Sequence, residues 1–302
     1  METDLKQNAD SPSTAQSEVG VLRHVWLQHA RDAFQSQEFI DHQWRELGYL
    51  ERPDLARAVE ENDQFVEHLR NAGAQIDFLP SSPDLSIDSI YVRDATVFTS
   101  DGLILCRMGK TARAGEPEAQ RRAAEAMGVD VIGAISGAGR LEGGDFVWLG
   151  ERVAAVGLGY RTNLEGIRQL RLLLEGLVDE LIVVPLPHWK GPDDVFHLMS
   201  MISPLDQDLA VVYAPLLPVP FRDRLLSIGI ELVEVPNTEF DSMGANVLAT
   251  APRRALMLDG NPVTRGRLED AGVQVTTYQG WEISGKGCGG PTCLTRPLLR
   301  GV

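Results

Sequence analysis

Three residue types scattered along the chain could together make an activated thiol. Cys293 closes the run Lys286-Gly-Cys-Gly-Gly-Pro-Thr-Cys293 and is followed by Leu-Thr-Arg-Pro297. Glycines on its approach let the backbone pass close to a ligand, because no Cβ stands in the way. His197, in Phe196-His197-Leu198, is a candidate base, and Glu142 opens an acidic glycine turn, Glu142-Gly-Gly-Asp145. Cysteine, histidine and carboxylate need be neighbours only in space, so their separation along the chain is no objection. Each also has a plainer reading. Most free cysteines are small buried hydrophobes, a histidine between Phe and Leu more often packs than catalyses, and an acidic glycine turn simply joins strands. The combination favours chemistry.

The elements that must position these residues recur along the chain. Residues 53–69, 116–127, 163–175, 218–228 and 262–271 have helical spacing. A glycine stops each of them (Gly73, Gly128, Gly176, Gly229 and Gly272), and a strand-like run follows at 75–79, 129–132, 181–185, 230–235 and 273–277. Further strand-like runs precede the helices at 21–27, 96–98 with 103–105, 146–149 with 153–156, 209–213, and 247–250 with 255–258. The glycines lie roughly fifty residues apart, the self-similarity of a repeat architecture. One such unit cannot cover its own apolar faces, so five arranged around an axis would bury strands inside and helices outside. A doubly wound parallel sheet is the rival for any alternating α/β pattern, but the hairpin-like strand pairs do not fit simple alternation. No linker divides the body, so the reading is one α/β domain over residues 19–302. Residues 1–18 carry almost no large apolar side chain and are expected to form a disordered tail.

The apolar fraction of 43% fits an ordinary globular protein. A formal charge of −15 disfavours nucleic acid and anionic membranes as partners and would concentrate cationic ligands. No apolar run approaches the roughly 18 residues of a membrane span, and no basic segment precedes an apolar one near Met1, so a cytoplasmic protein is expected. Three cysteines make no disulfide framework, and a reducing compartment keeps a thiol available. A homodimer is compatible with these features and is not dictated by them.

In the order they occur, Asp88-Ser-Ile-Tyr-Val-Arg-Asp94, Glu142-Gly-Gly-Asp145, Gly159-Tyr-Arg161-Thr-Asn, Phe196-His197-Leu198 and Gly289-Gly-Pro-Thr-Cys293-Leu-Thr-Arg-Pro297 make the chain resemble the guanidino-group-modifying enzymes. That family includes dimethylarginine dimethylaminohydrolases, arginine deiminases and amidinotransferases. The resemblance runs from about Val21 onward and implies a five-bladed α/β propeller, the pentein fold, with one central site. It implies Cys293 as nucleophile, His197 as general acid and base, and Glu142 as a carboxylate that orients the histidine or holds the substrate. Asp94 would grip a guanidinium with Asp145 as a further substrate contact, Asp88 would reach an α-amino group, and Arg113 and Arg161 would bind an α-carboxylate. Charge-assisted, bidentate hydrogen bonds are the strong way to hold both ends of such a substrate.

The implied reaction is hydrolysis of a small cationic guanidino compound, without metal or organic cofactor. An Nω-substituted arginine would give citrulline and an amine by way of an S-alkylthiouronium. Deimination of free arginine, or transfer of the amidino group to an acceptor amine, are the alternatives; a binding protein of the same fold would lack the catalytic groups. Met199 stands where arginine deiminases carry an aspartate, which favours substituted guanidines. Arg93 replaces an acid common in dimethylarginine-specific relatives, which pulls the other way. Cys288 stands where many relatives carry glycine and could cap Cys293 as a disulfide under oxidation. His188, in Pro-His-Trp-Lys190, is the competitor to His197.

Overall fold

In the computed structural model, described for residues 13–192, 194 and 196–301, the strands gather into five small sheets rather than one. Four have three strands each. They are Thr96–Thr99, Gly102–Leu105 and Val131–Ala134; Phe146–Gly150, Val153–Leu158 and Glu180–Pro185; Ile202–Asp206, Leu209–Val212 and Glu231–Glu234; and Val247–Ala251, Arg254–Leu258 and Gln274–Tyr278. In each, the first two strands form an antiparallel hairpin and the third returns parallel to the second. A parallel return needs a crossover, which the helices Glu116–Ala126, Leu164–Leu173, Val219–Ser227 and Pro262–Asp270 supply. The fifth sheet repeats the pattern with strands from distant parts of the chain. Arg296–Gly301 pairs antiparallel with Leu22–Leu27, and Gln75–Phe78 returns parallel to it after the helix Leu55–Asn71. Hairpin plus parallel return is why neither simple βαβ alternation nor one large sheet forms.

The repeated glycine turn is what reverses the chain after each crossover helix. Gly73, Gly128, Gly176, Gly229 and Gly272 all have positive φ, between 70° and 91°, a backbone shape that costs an L side chain about 1–2 kcal/mol. The strand expected from residue 129 starts at Val131, because the N–H of Val129 still bonds back to Ala124 O at 2.9 Å as part of this turn. The middle strands are buried on both faces and read as continuous apolar runs, Leu209–Val212 most completely. Two short helices, Ala30–Phe34 and Gln37–Gln43, and a π-helix, Trp281–Gly285, had no counterpart in the sequence reading. Among the described residues no helix is long and apolar enough to cross a membrane.

The expected tail is drawn too long. Ser13–Thr14 adds a strand to the edge of Arg296–Gly301, and Gln16 and Glu18 are buried. Glu18 accepts two bonds from Arg93, at 3.0 and 3.3 Å, and Arg93 Nε donates to Thr292 O at 2.8 Å. A polar composition suggested disorder, but two buried polar contacts and a strand pairing order the segment. Residues 1–12 of the expected tail lie outside the described residues. Arg93 is only 1% exposed, so Glu18→Ala strands a buried cation, an effect worth about 3–5 kcal/mol of stability. Urea denaturation measures it, and a loss below about 1 kcal/mol would show that the pair does not hold the segment.

Each hairpin is preceded by a segment that turns inward. Residues 88–94, 143–145, 196–200, 243–246 and 287–293 lead into the first strands of the five sheets, and every one of these segments contributes to the wall of one cavity.

Candidate active site

The cavity has a volume of about 420 Å³ and holds Asp94, His197 and Cys293 in its wall. Cys293 is half-buried, and its Sγ accepts a hydrogen bond from Asn246 Nδ2 at 3.3 Å. The glycines before it serve the packing of the loop. A Cβ on Gly289 would lie 2.2 Å from the Tyr91 ring, and one on Gly290 would lie 2.5 Å from Asn246 Cγ. Burial first, and Asp94 second, push the Cys293 thiol above its ordinary pKa, with Asn246, Thr292 and Arg93 pulling the other way.

His197 is buried, with Nε2 2.7 Å from Glu142 Oε2 and Nδ1 3.8 Å from Asp94 Oδ1. Glu142 is fully buried and does not reach the cavity. It accepts the backbone N–H of Gly109 at 2.8 Å and of Lys110 at 3.2 Å, and Arg161 Nη1 at 3.1 Å. Burial opposes its ionisation, but His197, Arg161 and Arg113 outweigh burial and hold the carboxyl well below the usual range. For His197 burial is likewise outweighed, by Asp94, Asp145 and Glu142, and its pKa is raised to about 9. The resting pair is therefore imidazolium and carboxylate at neutral pH, with Nε2–H donating to Glu142. Of the two roles the resemblance allowed Glu142, this geometry fits orientation of the histidine.

Asp94 accepts the N–H of Gly144 at 3.0 Å on Oδ1 and Arg113 Nη1 on Oδ2. A Cβ on Gly144 would sit 2.6 Å from both Asp94 Oδ1 and His197 Nδ1, so the acidic turn needs glycine there. Asp145 departs from expectation. It is fully buried behind the cavity wall, and its Oδ1 accepts the N–H of Leu198 at 3.0 Å. It supports the turn that carries His197 and cannot touch a ligand; burial pushes its carboxyl up to about 6.

Arg113 also departs from expectation. Its Nε and Nη2 donate to Glu116 at 2.8 and 2.7 Å, Nη2 donates to Tyr91 O at 2.9 Å, and Nη1 goes to Asp94. A guanidinium so committed braces Asp94 and is not a free receptor for a carboxylate. Asp88 is similarly engaged, with Oδ2 2.7 Å from Lys110 Nζ, which also donates to Leu47 O. Arg161 lines the cavity, and among the described residues its side-chain bonds run from Nη1 alone, to Glu142. Its remaining nitrogens suit an anionic group. His188 bonds Tyr160 Oη at 2.7 Å and is not part of the cavity wall, whereas Cys288 is, at a left-handed φ of 58°.

Asp94, Glu142 and His197 present ligand atoms within 4.8 Å of one another, a spacing that a metal ion could use. A cation there would have to displace the imidazolium from Glu142 and sit beside Arg113 and Arg161, whose charges already answer the two carboxylates. Lys110, Asp194, Ser200, Asp241 and Asn246 in the wall, and Glu116 behind Arg113, are polar residues that the sequence did not single out. Only Asn246 had a usable signal, since it falls in the same roughly fifty-residue rhythm as Asp94, Glu142, His197 and Cys293.

Known proteins match the chain over most of its length. The family profile described as Arginine deiminase matches residues 83–224 and 217–300. A dimethylarginine dimethylaminohydrolase of Streptomyces coelicolor is 30% identical over 246 residues, covering 81% of this chain and 87% of that protein. One of Pseudomonas aeruginosa is 28% identical over 251 residues, covering 82% and 91%. The solved structure of a Pseudomonas aeruginosa dimethylarginine dimethylaminohydrolase, a cysteine-to-serine mutant complexed with citrulline, superposes with a TM-score of 0.74 at 24% identity and covers 91% of this chain and 98% of that one. The five modules are thus those of the pentein α/β propeller. With the profile reaching from the Asp88 segment to the strand beyond Cys293, the chain belongs to the arginine deiminase family of guanidino-group-modifying enzymes and is a hydrolase of amidine carbon–nitrogen bonds.

Proposed function

We propose that the protein hydrolyses an Nω-substituted arginine to citrulline and an amine through a covalent intermediate on Cys293. The observation that carries the reading is the composition of the cavity wall around His197, Asp94 and Cys293. Met199 and Phe196 stand beside them; of the four aspartates in the wall, Asp88 and Asp241 are paired with Lys110 and Lys190, Asp194 is the third, and Asp94, already shared with Arg113, is the one bonded into the His197 turn through Gly144. An N–H of free arginine turned toward Met199 would go unpaired, at a cost of about 1–3 kcal/mol. An N-alkyl group has no such proton and gains from apolar contact. The names of the relatives and the citrulline in the solved one support the same direction.

In this reading the Cys293 thiolate forms a C–S bond to the guanidinium carbon. The substituted nitrogen leaves with its bonding pair and takes the proton of the His197 imidazolium. The now neutral histidine removes a proton from water as the oxygen adds to the same carbon. The C–S bond then breaks with its electron pair returning to sulfur, the added hydroxyl gives its remaining proton to solvent, and a ureido carbonyl remains. Glu142 keeps the imidazole aimed, Asp94 holds the guanidinium plane, and Arg161 receives the α-carboxylate. Aim matters because a delocalised guanidinium is a poor electrophile until the nucleophile is placed.

The test is mass spectrometry of the intact protein mixed with arginine, Nω-methylated arginines and simple guanidines, quenched early in acid. An adduct mapped to Cys293, with citrulline and the matching amine accumulating in the absence of any acceptor amine, is the expected result. No adduct and no product from any member of the panel would overturn the reading.

A further inference from the structure

Three of the five inward segments bring Asp94, His197 and Cys293 to the cavity, and a fourth, residues 143–145, follows directly on Glu142, which backs His197 from behind the wall. The remaining segment, which leads into Val247–Ala251, brings Asn246 to the same cavity. We propose that Asn246 is a further catalytic residue, whose side-chain N–H holds the Cys293 sulfur and stabilises it as a thiolate. The inference rests on the reading of Cys293 as the nucleophile.

Asn246 is 5% exposed, and each part of its amide has a partner. Oδ1 accepts the backbone N–H of Thr292 at 3.0 Å and the Thr292 hydroxyl at 2.8 Å, while Nδ2 lies 3.3 Å from Cys293 Sγ. Which end of an amide is oxygen is settled by its neighbours. A backbone N–H can only donate, so the oxygen must face Thr292 and the NH2 must face the sulfur. Because Thr292 and Cys293 are consecutive, the residue that orients the amide is bonded to the residue that receives its proton. The arrangement closes on itself and leaves the amide no second pose. Gly290 makes room for it, since a Cβ there would overlap the Asn246 side chain.

A donor aimed at sulfur favours the charged form, because a thiolate accepts more strongly than a thiol. Thr292 Oγ1 lies 4.0 Å from the sulfur, but its proton is given to Asn246 Oδ1. The other groups facing Cys293 do not supply the donor either. Asp94 disfavours the anion; Arg93 favours it, but its Nη atoms are held by Glu18. Tyr91 and Tyr278 are buried phenols whose pKa values burial pushes up, so both stay neutral. Cys288 is a second neutral thiol in the cavity wall, and His197 shares that wall as an imidazolium whose Nε2–H is given to Glu142. Asn246 is the neutral donor in direct contact with the reacting atom, and its help does not titrate.

The test is the pH dependence of iodoacetamide alkylation at Cys293, resolved by peptide mass spectrometry, in the full chain and in Asn246→Ala and Asn246→Asp, with folding verified by circular dichroism. The apparent pKa of Cys293 is expected to rise by about one unit in both variants, so that alkylation near pH 7 slows roughly tenfold. Turnover should fall in kcat with little change in KM. An unchanged pKa in folded Asn246→Ala overturns the proposal. Should that variant not fold, Asn246→Asp decides, since it keeps the oxygen that accepts both Thr292 bonds, and an unchanged pKa there overturns it equally. Undiminished turnover by Cys293→Ser would instead strike the nucleophile reading itself, so the two failures are distinguishable.

Discussion

Replacing Cys293 by serine lowers turnover of the preferred guanidino substrate by at least roughly 10⁴-fold while the protein stays folded. A serine oxygen can take over the hydrogen bond from Asn246, so the wall of the cavity keeps its packing and the melting temperature should move little. Reactivity is another matter. A hydroxyl becomes nucleophilic only when a base takes its proton, and the histidine here is held as an imidazolium with a pKa of about 9. Near neutral pH no base is ready for the serine, whereas a thiol can lose its proton to solvent and keep a useful fraction as anion. Citrulline release by the variant measures the loss. Activity within tenfold of the original would remove Cys293 from the mechanism.

His197→Ala should cost about 10²–10⁴-fold in kcat, the usual worth of a positioned acid–base group. Glu142 keeps Arg161 and two backbone N–H donors in the variant, so the carboxylate is not left bare and the fold should survive. The pH profile gives the sharper signature. The active form needs the thiolate and the imidazolium together. The thiol titrates above its ordinary value and the imidazolium holds its proton to about 9. From pH 7 upward the thiolate fraction therefore grows about tenfold per unit while the acid remains charged, and kcat/KM rises. Past about pH 9 the imidazolium is lost and the rise ends or reverses. In His197→Ala that upper limb should disappear. A wild-type profile that is flat between about pH 6 and 8, or an upper limb retained by the variant, would contradict the assignment.

What the sequence disclosed follows from where the information is local. The five glycine turns are local, since a helix end that demands positive φ leaves its mark on one residue, and Gly73, Gly128, Gly176, Gly229 and Gly272 all carry it. The five modules are legible on that basis and through family resemblance, as is the gathering of Cys293, His197 and Asp94 at one cavity with Glu142 behind it. Partner choice is not local. Arg113 reads as a cation free for a carboxylate until Glu116 and Asp94 are seen to occupy it, and Asp88 reads as free until Lys110 arrives. Asp145 lies three residues from Glu142 yet faces the opposite side of the turn, toward Leu198. Nor does polar composition reveal that Glu18 is half of a buried ion pair with a partner about 75 residues away.

The sheet that closes the ring also sets the order in which function can arise. The strand after Cys293 pairs Arg296 with Trp26, contacts separated by about 270 residues, and such long-range pairing is late and slow because loop closure must precede its reward. The first four hairpins and their returns can form as each is synthesised, from residues close together in the chain. The thiol's loop, tied to Asn246 and Arg93, gains its last anchor when the early strand Leu22–Leu27, waiting at an open edge, receives Arg296–Gly301. On the proposed reading, a partly folded chain of this protein can thus hold His197, Asp94 and much of its cavity wall while remaining chemically silent, and its reactivity switches on with the last strand to dock.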